Sequence, residues 1–365
     1  ALTRCINNGV YSTFFKKIPK NKVWGVPHEG TFADFLSMKE GDNVYFFINR
    51  KIYGIGRLIN IGVDCKYLNF PGADLPEQFD YEDIKEKMLL DYGESSVNNR
   101  YICLFEANPH FFTQGIDTDD VLASNPERFR MLRAFWKKTF IKIDDEENNA
   151  LKDIVLQRNE EYIDNPMFHF DSLYALKKKI KNRLDERYLM TSKPLLELNS
   201  NGDYIKHEMA IEAGIVDILT NRQFKGLFGD WDYVTRQLIA SPFKPIDYMD
   251  KMDIFGIRKI PGFNTVSKYL MIEIKKDSAT KEDIDQAMKY VDWINQEYAH
   301  GDYSMIIAFL IAYKFPREVV TYRDEVSRRN FIKGRRPATA IEWENLTLVK
   351  YAYDKETKQL ILTSI

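Results

Sequence analysis

Glu273 and Lys275 stand two residues apart in the apolar run "YLMIEIKK". Side chains two apart on a strand point the same way, so this carboxylate and ammonium would share one face. Asp253 lies near the start of the preceding apolar run, "KMDIFGIRKI". If the two runs pair as a hairpin, Asp253 comes to lie beside Glu273. Two converging carboxylates supply the oxygen ligands that a hard divalent cation such as Mg²⁺ takes, with water completing its shell. A lysine beside such an ion can orient an attacking water or help deprotonate it. The ion itself lowers that water's pKa and offsets charge building on a phosphate. The bland alternative is a structural Glu–Lys pair at a strand end. Unpaired charges in an apolar sheet cost stability, which argues that these have a use.

Several elements must hold these three residues in place. Downstream, "ATKEDIDQAMKYVDWINQEYA" has helical periodicity, and Thr280 and Asp283 have the spacing of a capping box. Ile284, Met288 and Val291 form one apolar stripe. Gln286, Tyr290 and Trp293 fall on the opposite face, where a purely solvated helix would carry Lys and Glu. Packing of Tyr290 and Trp293 on a neighbouring element is the alternative. A helix around "IKHEMAIEAGIVDIL" precedes the hairpin and puts Glu208 and Glu212 one turn apart. The strand "SMIIAFLIAY" follows, and the tail reads as a strand pair around "DKETK". The expected product is a mixed α/β sheet domain.

Upstream, "DNVYFFINRKIYGIGRLINIG" gives two strand-like runs joined by a short "NRK" turn. Gly54 and Gly56 within the second run predict a bulge or a barrel corner. Three charged, amphipathic segments follow: "NPERFRMLRAFWKKTF", "DDEENNALKDIVLQRNEEYI" and "SLYALKKKIKNRLDERYL". The expected division is a β-rich domain over 1–117, a helical connector over 118–194 and the mixed domain over 195–365.

Composition narrows the function classes. Hydrophobic residues make up 44% and aromatics 14% of 365 residues, ample for packed cores. The net charge of -2 gives no global field for a polyanion. Between Lys314 and Arg336, however, eight Lys/Arg stand against three Asp/Glu. Arg328, Arg329, Lys333, Arg335 and Arg336 are therefore candidates for phosphate contacts, a solvated basic loop being the alternative. Arg236, Gln237 and Lys244 are candidates for a similar role or for packing. Cys5, Cys65 and Cys103 are too scattered for a zinc site or a disulfide framework. His207 is expected to be a structural or surface residue. The longest apolar run, "MIIAFLIAY", is too short to span a bilayer, and no signal-like segment opens the chain. A soluble cytoplasmic protein is expected.

Asp253, then "IEIKK", then "QAMKY" together resemble the PD-(D/E)XK nuclease superfamily, in particular its RecB and NucS-like branch, with D…E-x-K…Q-x-x-x-Y in this order. The resemblance covers about 205–315 and implies a restriction-endonuclease-like α/β domain with a central mixed sheet. It implies that Asp253 and Glu273 bind Mg²⁺, with Mn²⁺ able to substitute, and that Lys275 assists the water. It implies that Gln286 and Tyr290 support the site and contact DNA. A glutamate on the preceding helix would be a further metal ligand, with Glu208 favoured over Glu212.

The segment "KVWGVPHEGTFADFLSMKEGDNVYFFINRKIYGIGRLI" resembles the EVE domain, a PUA-like β-barrel related to YTH, over roughly 20–110. That resemblance implies a reader of modified bases, which grips an extruded base on aromatic faces. Trp24 is the first candidate for a pocket wall, followed by Phe46 and Asn49, with barrel core the alternative for Trp24 and Phe46. Together the two resemblances imply a modification-dependent DNA endonuclease of the restriction or phage-defence type, reading a cytosine derivative. One site cuts one strand, so a double-strand cut in DNA implies a homodimer or transient pairing on the DNA. The competing expectations are a sequence- or structure-specific nuclease indifferent to modification, and a non-cleaving nucleic-acid-binding protein.

Overall fold

The computed structural model describes residues 10–13, 32–68, 80–98, 101–134, 141–164, 178, 182, 187–221, 225–240 and 250–365. Trp24, Lys244 and nearly all of the expected helix "SLYALKKKIKNRLDERYL" lie outside these residues. The chain divides into two compact units, Ala1–Thr191 and Ser192–Ile365. Among the described residues, no helix is long and apolar enough to cross a membrane.

The first unit is built on an antiparallel sheet of β1 (Val10–Thr13), β2 (Asn43–Ile48), β3 (Lys51–Leu58), β4 (Lys66–Leu68) and β5 (Tyr101–Asp117). The order is β1-β5-β3-β2, with β4 also on β5. The long β5 does two jobs. Its first residues pair with both β1 and β4, and the rest pairs with β3. Among the described residues the sheet is open, with no pairing between β1 and β2, so the expected closed barrel is not found there. The predicted irregularity is present: the β3–β5 register slips on both sides of Gly54. At Gly56 an added Cβ would stand 2.8 Å from the Phe105 ring, so only glycine lets the two strands approach this closely.

Two described helices of the segment expected as a connector are part of this unit's core. Helix α1 (Thr118–Ser124) and helix α2 (Asp145–Arg158) bring Val121, Leu151, Ile154 and Val155 onto Ile52, Ile55, Phe112 and Ile116 of the sheet. Asp144 caps α2 by accepting from the Glu146 and Glu147 amides at 2.9 Å each. The apolar positions of α2 are spaced at one helical turn, and the sheet offers the surface that buries them.

The second unit opens with a short helix, Lys193–Leu198, followed by a two-residue strand pair, β6 (Ser200–Asn201) and β7 (Tyr204–Ile205), and by helix α3 (Glu208–Thr220). Its main sheet contains β8 (Tyr233–Ile239), β9 (Lys251–Lys259), β10 (Val266–Ser278) and β11 (Ile306–Lys314). Helix α4 (Lys281–Glu297) links β10 to β11, and helix α5 (Arg317–Val326) follows β11. A separate ribbon of β12 (Arg329–Lys333) and β13 (Thr339–Trp343) precedes the last sheet strands, β14 (Leu346–Asp354) and β15 (Gln359–Ser364).

The sheet order is β15-β14-β11-β10-β9-β8. Its centre is parallel, β10 with β11 and β11 with β14, and its flanks are antiparallel. This is the mixed α/β arrangement expected. A parallel β10–β11 pair needs a crossover, and α4 is that crossover. Leu270, Met271, Ile272 and Ile274 of β10 are fully buried, which explains the near-continuous apolar run around the two charged residues.

Candidate functional site

The geometry begins at Asp253. The β8–β9 ladder pairs Arg236 with Ile254 and Leu238 with Met252, leaving Gln237 and Asp253 out. The β9–β10 ladder likewise ends at Ile254–Ile272, one step short of Asp253. In place of a backbone carbonyl, the Asp253 carboxylate accepts the Ile274 amide at 2.8 Å. Asp253 thus sits in a notch between its two neighbouring strands. A buried amide must be satisfied, so the notch holds this carboxylate in one orientation.

Gln237 explains the other side of the notch. Its φ of 55° is left-handed, unusual for a non-glycine residue in a strand. Adjacent strand residues normally point to opposite faces. The kink breaks that alternation, and Arg236 and Gln237 both reach Glu212. Arg236 grips Glu212 through Nε at 2.9 Å and Nη2 at 2.7 Å. The Gln237 amide donates to Glu212 at 3.3 Å and to Asp253 at 3.1 Å. A backbone outlier beside a candidate site carries a cost of about 1–3 kcal/mol and needs support from its surroundings, which this network supplies.

On β10, the Lys275 ammonium donates to Glu273 Oε1 at 2.9 Å and stands 3.6 Å from Asp283. It also reaches Gln286 Oε1 at 3.5 Å. Gln286 in turn donates to the Tyr290 hydroxyl at 2.8 Å, and Tyr290 donates to the Lys251 carbonyl at 3.0 Å. Lys275, Gln286 and Tyr290 therefore form one chain that ends on the strand bearing Asp253. Tyr290 is 1% exposed, so it braces the site and has no surface to offer DNA. The DNA contact expected of Tyr290 therefore does not fall to this buried residue. Asp283 does more than cap α4, because it also faces Lys275. The capping-box spacing showed the residue but not this second use.

Of the two helix glutamates, Glu212 is 3% exposed and committed to Arg236. Glu208, at the start of α3, accepts the Lys276 amide at 3.2 Å. Repulsion from Glu208 acts on both Asp253 and Glu273, which places it near them.

The electrostatics are those of a site short of positive charge. Burial pushes the Asp253 carboxyl up, and Glu273 and Glu212 push it further. Burial raises Glu273 to about 7 although Lys275 pulls it down. Burial also raises Glu208. Burial works against the Lys275 ammonium, yet Glu273 and Asp283 outweigh it and hold its pKa above the ordinary lysine value. Glu273 Oε2 is buried without a hydrogen-bond partner.

These residues fit a divalent cation. Among the described residues, no group of three or more His, Cys, Asp or Glu side chains is placed to hold an ion by itself. Two hard carboxylates with water filling the remaining positions suit Mg²⁺, which keeps several waters. The orphaned Glu273 oxygen is the independent sign, since a buried acceptor with no donor is costly until something occupies it.

The raised Glu273 pKa makes a stability prediction. Below about pH 4.5 the carboxyl is protonated folded and unfolded alike, and it costs the fold nothing. As pH rises from about 4.5 through about 7, the unfolded state releases its proton first, so stability falls. The metal-free protein is expected to melt at a lower temperature at about pH 8 than at about pH 5, and Glu273→Gln should flatten that slope. Parallel melting curves for the two proteins would show that Glu273 is not the group responsible.

The remaining sequence candidates fare differently. Phe46 is 2% exposed and packs its ring against Phe105, with centroids 5.0 Å apart, so it belongs to the core and not to an open pocket. Asn49 and Arg50 have φ of 50° and 66° at the β2–β3 turn, both left-handed as a type I′ hairpin requires. Asn49 is there for its backbone and stands exposed at the hairpin tip. Arg236 is 6% exposed and bound to Glu212, not free for a DNA backbone. Arg329 holds Asp292 through Nε at 2.8 Å and Nη2 at 2.9 Å, so it too is occupied within the protein. Arg328 is 3.7 Å from Glu342 and its side chain is 54% exposed, and Lys333, Arg335 and Arg336 are exposed.

No family model matches the chain, and no curated protein matches it. Among solved structures, that of a repair endonuclease from Pyrococcus abyssi is similar at 19% identity and a TM-score of 0.22. The match covers 35% of this chain and 46% of that one, so it spans less than half of the similar protein.

Proposed function

We propose that the second unit is a divalent-cation-dependent nuclease, with its site at Asp253, Glu273 and Lys275. One observation carries this reading: two carboxylates and a lysine converge at a break in the sheet, and one buried oxygen of Glu273 lacks any donor. Asp253 and Glu273 would hold the cation, with Glu208 near enough to contribute. When bound, such an ion offsets charge on a phosphate and lowers the pKa of a water. Lys275 is held cationic, which suits it to orient a water and to steady negative charge on the phosphate. Gln286 and Tyr290 fix where that ammonium points.

The finer proposal is that cleavage requires a modified base, a cytosine derivative, in double-stranded DNA. It rests on the resemblance of the first unit's sequence to a base-reading domain, with Trp24 as its remaining pocket candidate. A homodimer formed on DNA would account for cutting both strands. The experiment is Mg²⁺-dependent digestion of methylated, hydroxymethylated, glucosylated and plain DNA of one sequence. Cutting confined to one modified form is expected. Equal cutting of all four would sink the modification requirement and leave a sequence- or structure-specific nuclease. Tight binding with no cutting of any form, with Mg²⁺ or Mn²⁺, would sink the nuclease itself.

A further inference from the structure

Among the described residues the β12–β13 ribbon belongs to no larger sheet, and its two strands pair only with each other. Its base is nonetheless fixed. Arg329 is clamped on Asp292 of α4, the Trp343 indole donates to the Ile306 carbonyl at 3.0 Å, and Phe331 and Trp343 both pack beside Tyr303. Asp292 is on the helix that carries Gln286 and Tyr290, so the ribbon is tied to the same helix that braces Lys275.

Cross-strand partners share a face, and the register sorts the ribbon into two faces. Phe331 and Trp343 are on the inner face and are buried. The outer face carries Asn330 opposite Glu342 and Ile332 opposite Ala340. Ile332 is 71% exposed and Ala340 is exposed beside it, an apolar pair where a solvated ribbon would carry polar side chains. At the tip, Arg335 and Arg336 lie beyond the last paired step, and Lys333, opposite Thr339 on the inner-face side, is exposed beside them. Among the described residues no carboxylate pairs with any of the three, although the chain as a whole is at -2.

We propose that this ribbon is a duplex-engaging arm, whose three tip cations contact DNA phosphates while Ile332 and Ala340 face into the groove. A two-stranded ribbon is of a width that the major groove admits, and apolar side chains there meet thymine methyl groups. The charge separates this occupant from a second copy of the chain, because a cluster of three unpaired cations on a slightly acidic protein is complementary to a polyanion. The inference rests on the nuclease reading only for its purpose: an arm anchored on α4 would set where along the duplex the site falls.

The test is binding of the full chain to a plain duplex in EDTA, across a salt series. Each phosphate contact contributes about 0.9 to the slope of log affinity against log salt, so Lys333→Ala/Arg335→Ala/Arg336→Ala should make the slope shallower by about 2.7. Ile332→Gln should weaken binding severalfold with the slope unchanged. A triple variant with the wild-type slope would overturn the arm. So would variants that bind DNA as wild type but shift the sedimenting mass, since the ribbon would then join copies of the protein. Cleavage by the wild type with Mg²⁺ keeps the two ideas apart. If it cuts and the triple variant binds normally, the arm fails alone. If it never cuts and the triple variant loses its salt slope, the nuclease fails and the arm stands.

Discussion

Alanine at Asp253 or at Lys275 is expected to reduce Mg²⁺-dependent DNA cleavage by at least about 10²–10⁴-fold, the range for removing a group that handles a proton or charge at the reacting centre. Binding should survive, because Asp253 sits in a notch on an interior strand, between its two neighbouring strands, and Lys275 is only partly exposed. The two variants should differ in stability. Lys275→Ala removes the cation that offsets Glu273, Asp283 and Asp253, so the metal-free fold should weaken. Asp253→Asn removes one charge from mutually repelling acids and can still accept the Ile274 amide through its side-chain oxygen. That variant should be inactive and at least as stable as the wild type without metal. Retained cutting by Lys275→Ala, or an Asp253→Asn protein that melts earlier, would remove these residues from the site.

The sequence made much of this site legible because its parts are local. An E-x-K pair shares a face by strand geometry alone, and Gln286 and Tyr290 are one helical turn apart by helix geometry alone. The mixed sheet followed from alternating apolar runs and a capped helix. What escaped was set by contacts distant in sequence. Arg236 and Gln237 looked like polar residues available to DNA, but Glu212, 24 positions away, consumes one and helps hold the other. Arg329 looked like its basic neighbours until Asp292 fixed it to a helix. Asn49 fits a hairpin turn as well as a pocket, and composition does not separate the two. Phe46 has the same difficulty, since aromatic residues line cores and base pockets alike.

Breaking the buried Arg236–Glu212 pair should be the most destabilising single change around the site. Both side chains are under 7% exposed and joined by two hydrogen bonds. Replacing a buried ion pair with apolar residues is often neutral, but removing one partner leaves a bare charge. Arg236→Ala would leave Glu212 buried and ionisable beside Asp253, whose own carboxyl Glu212 already pushes up. The expected loss is about 3–5 kcal/mol, read from denaturant unfolding. Arg236→Met combined with Glu212→Leu should recover most of it, since the charge and its partner leave together. Cleavage by the double variant should still fall, because Gln237 would lose one of its two acceptors and hold Asp253 less firmly. If Arg236→Ala unfolds at the wild-type denaturant concentration, the pair is not what holds the notch closed. If the double variant is stable and fully active, Gln237 keeps Asp253 in place without Glu212, and the left-handed kink alone sets the geometry.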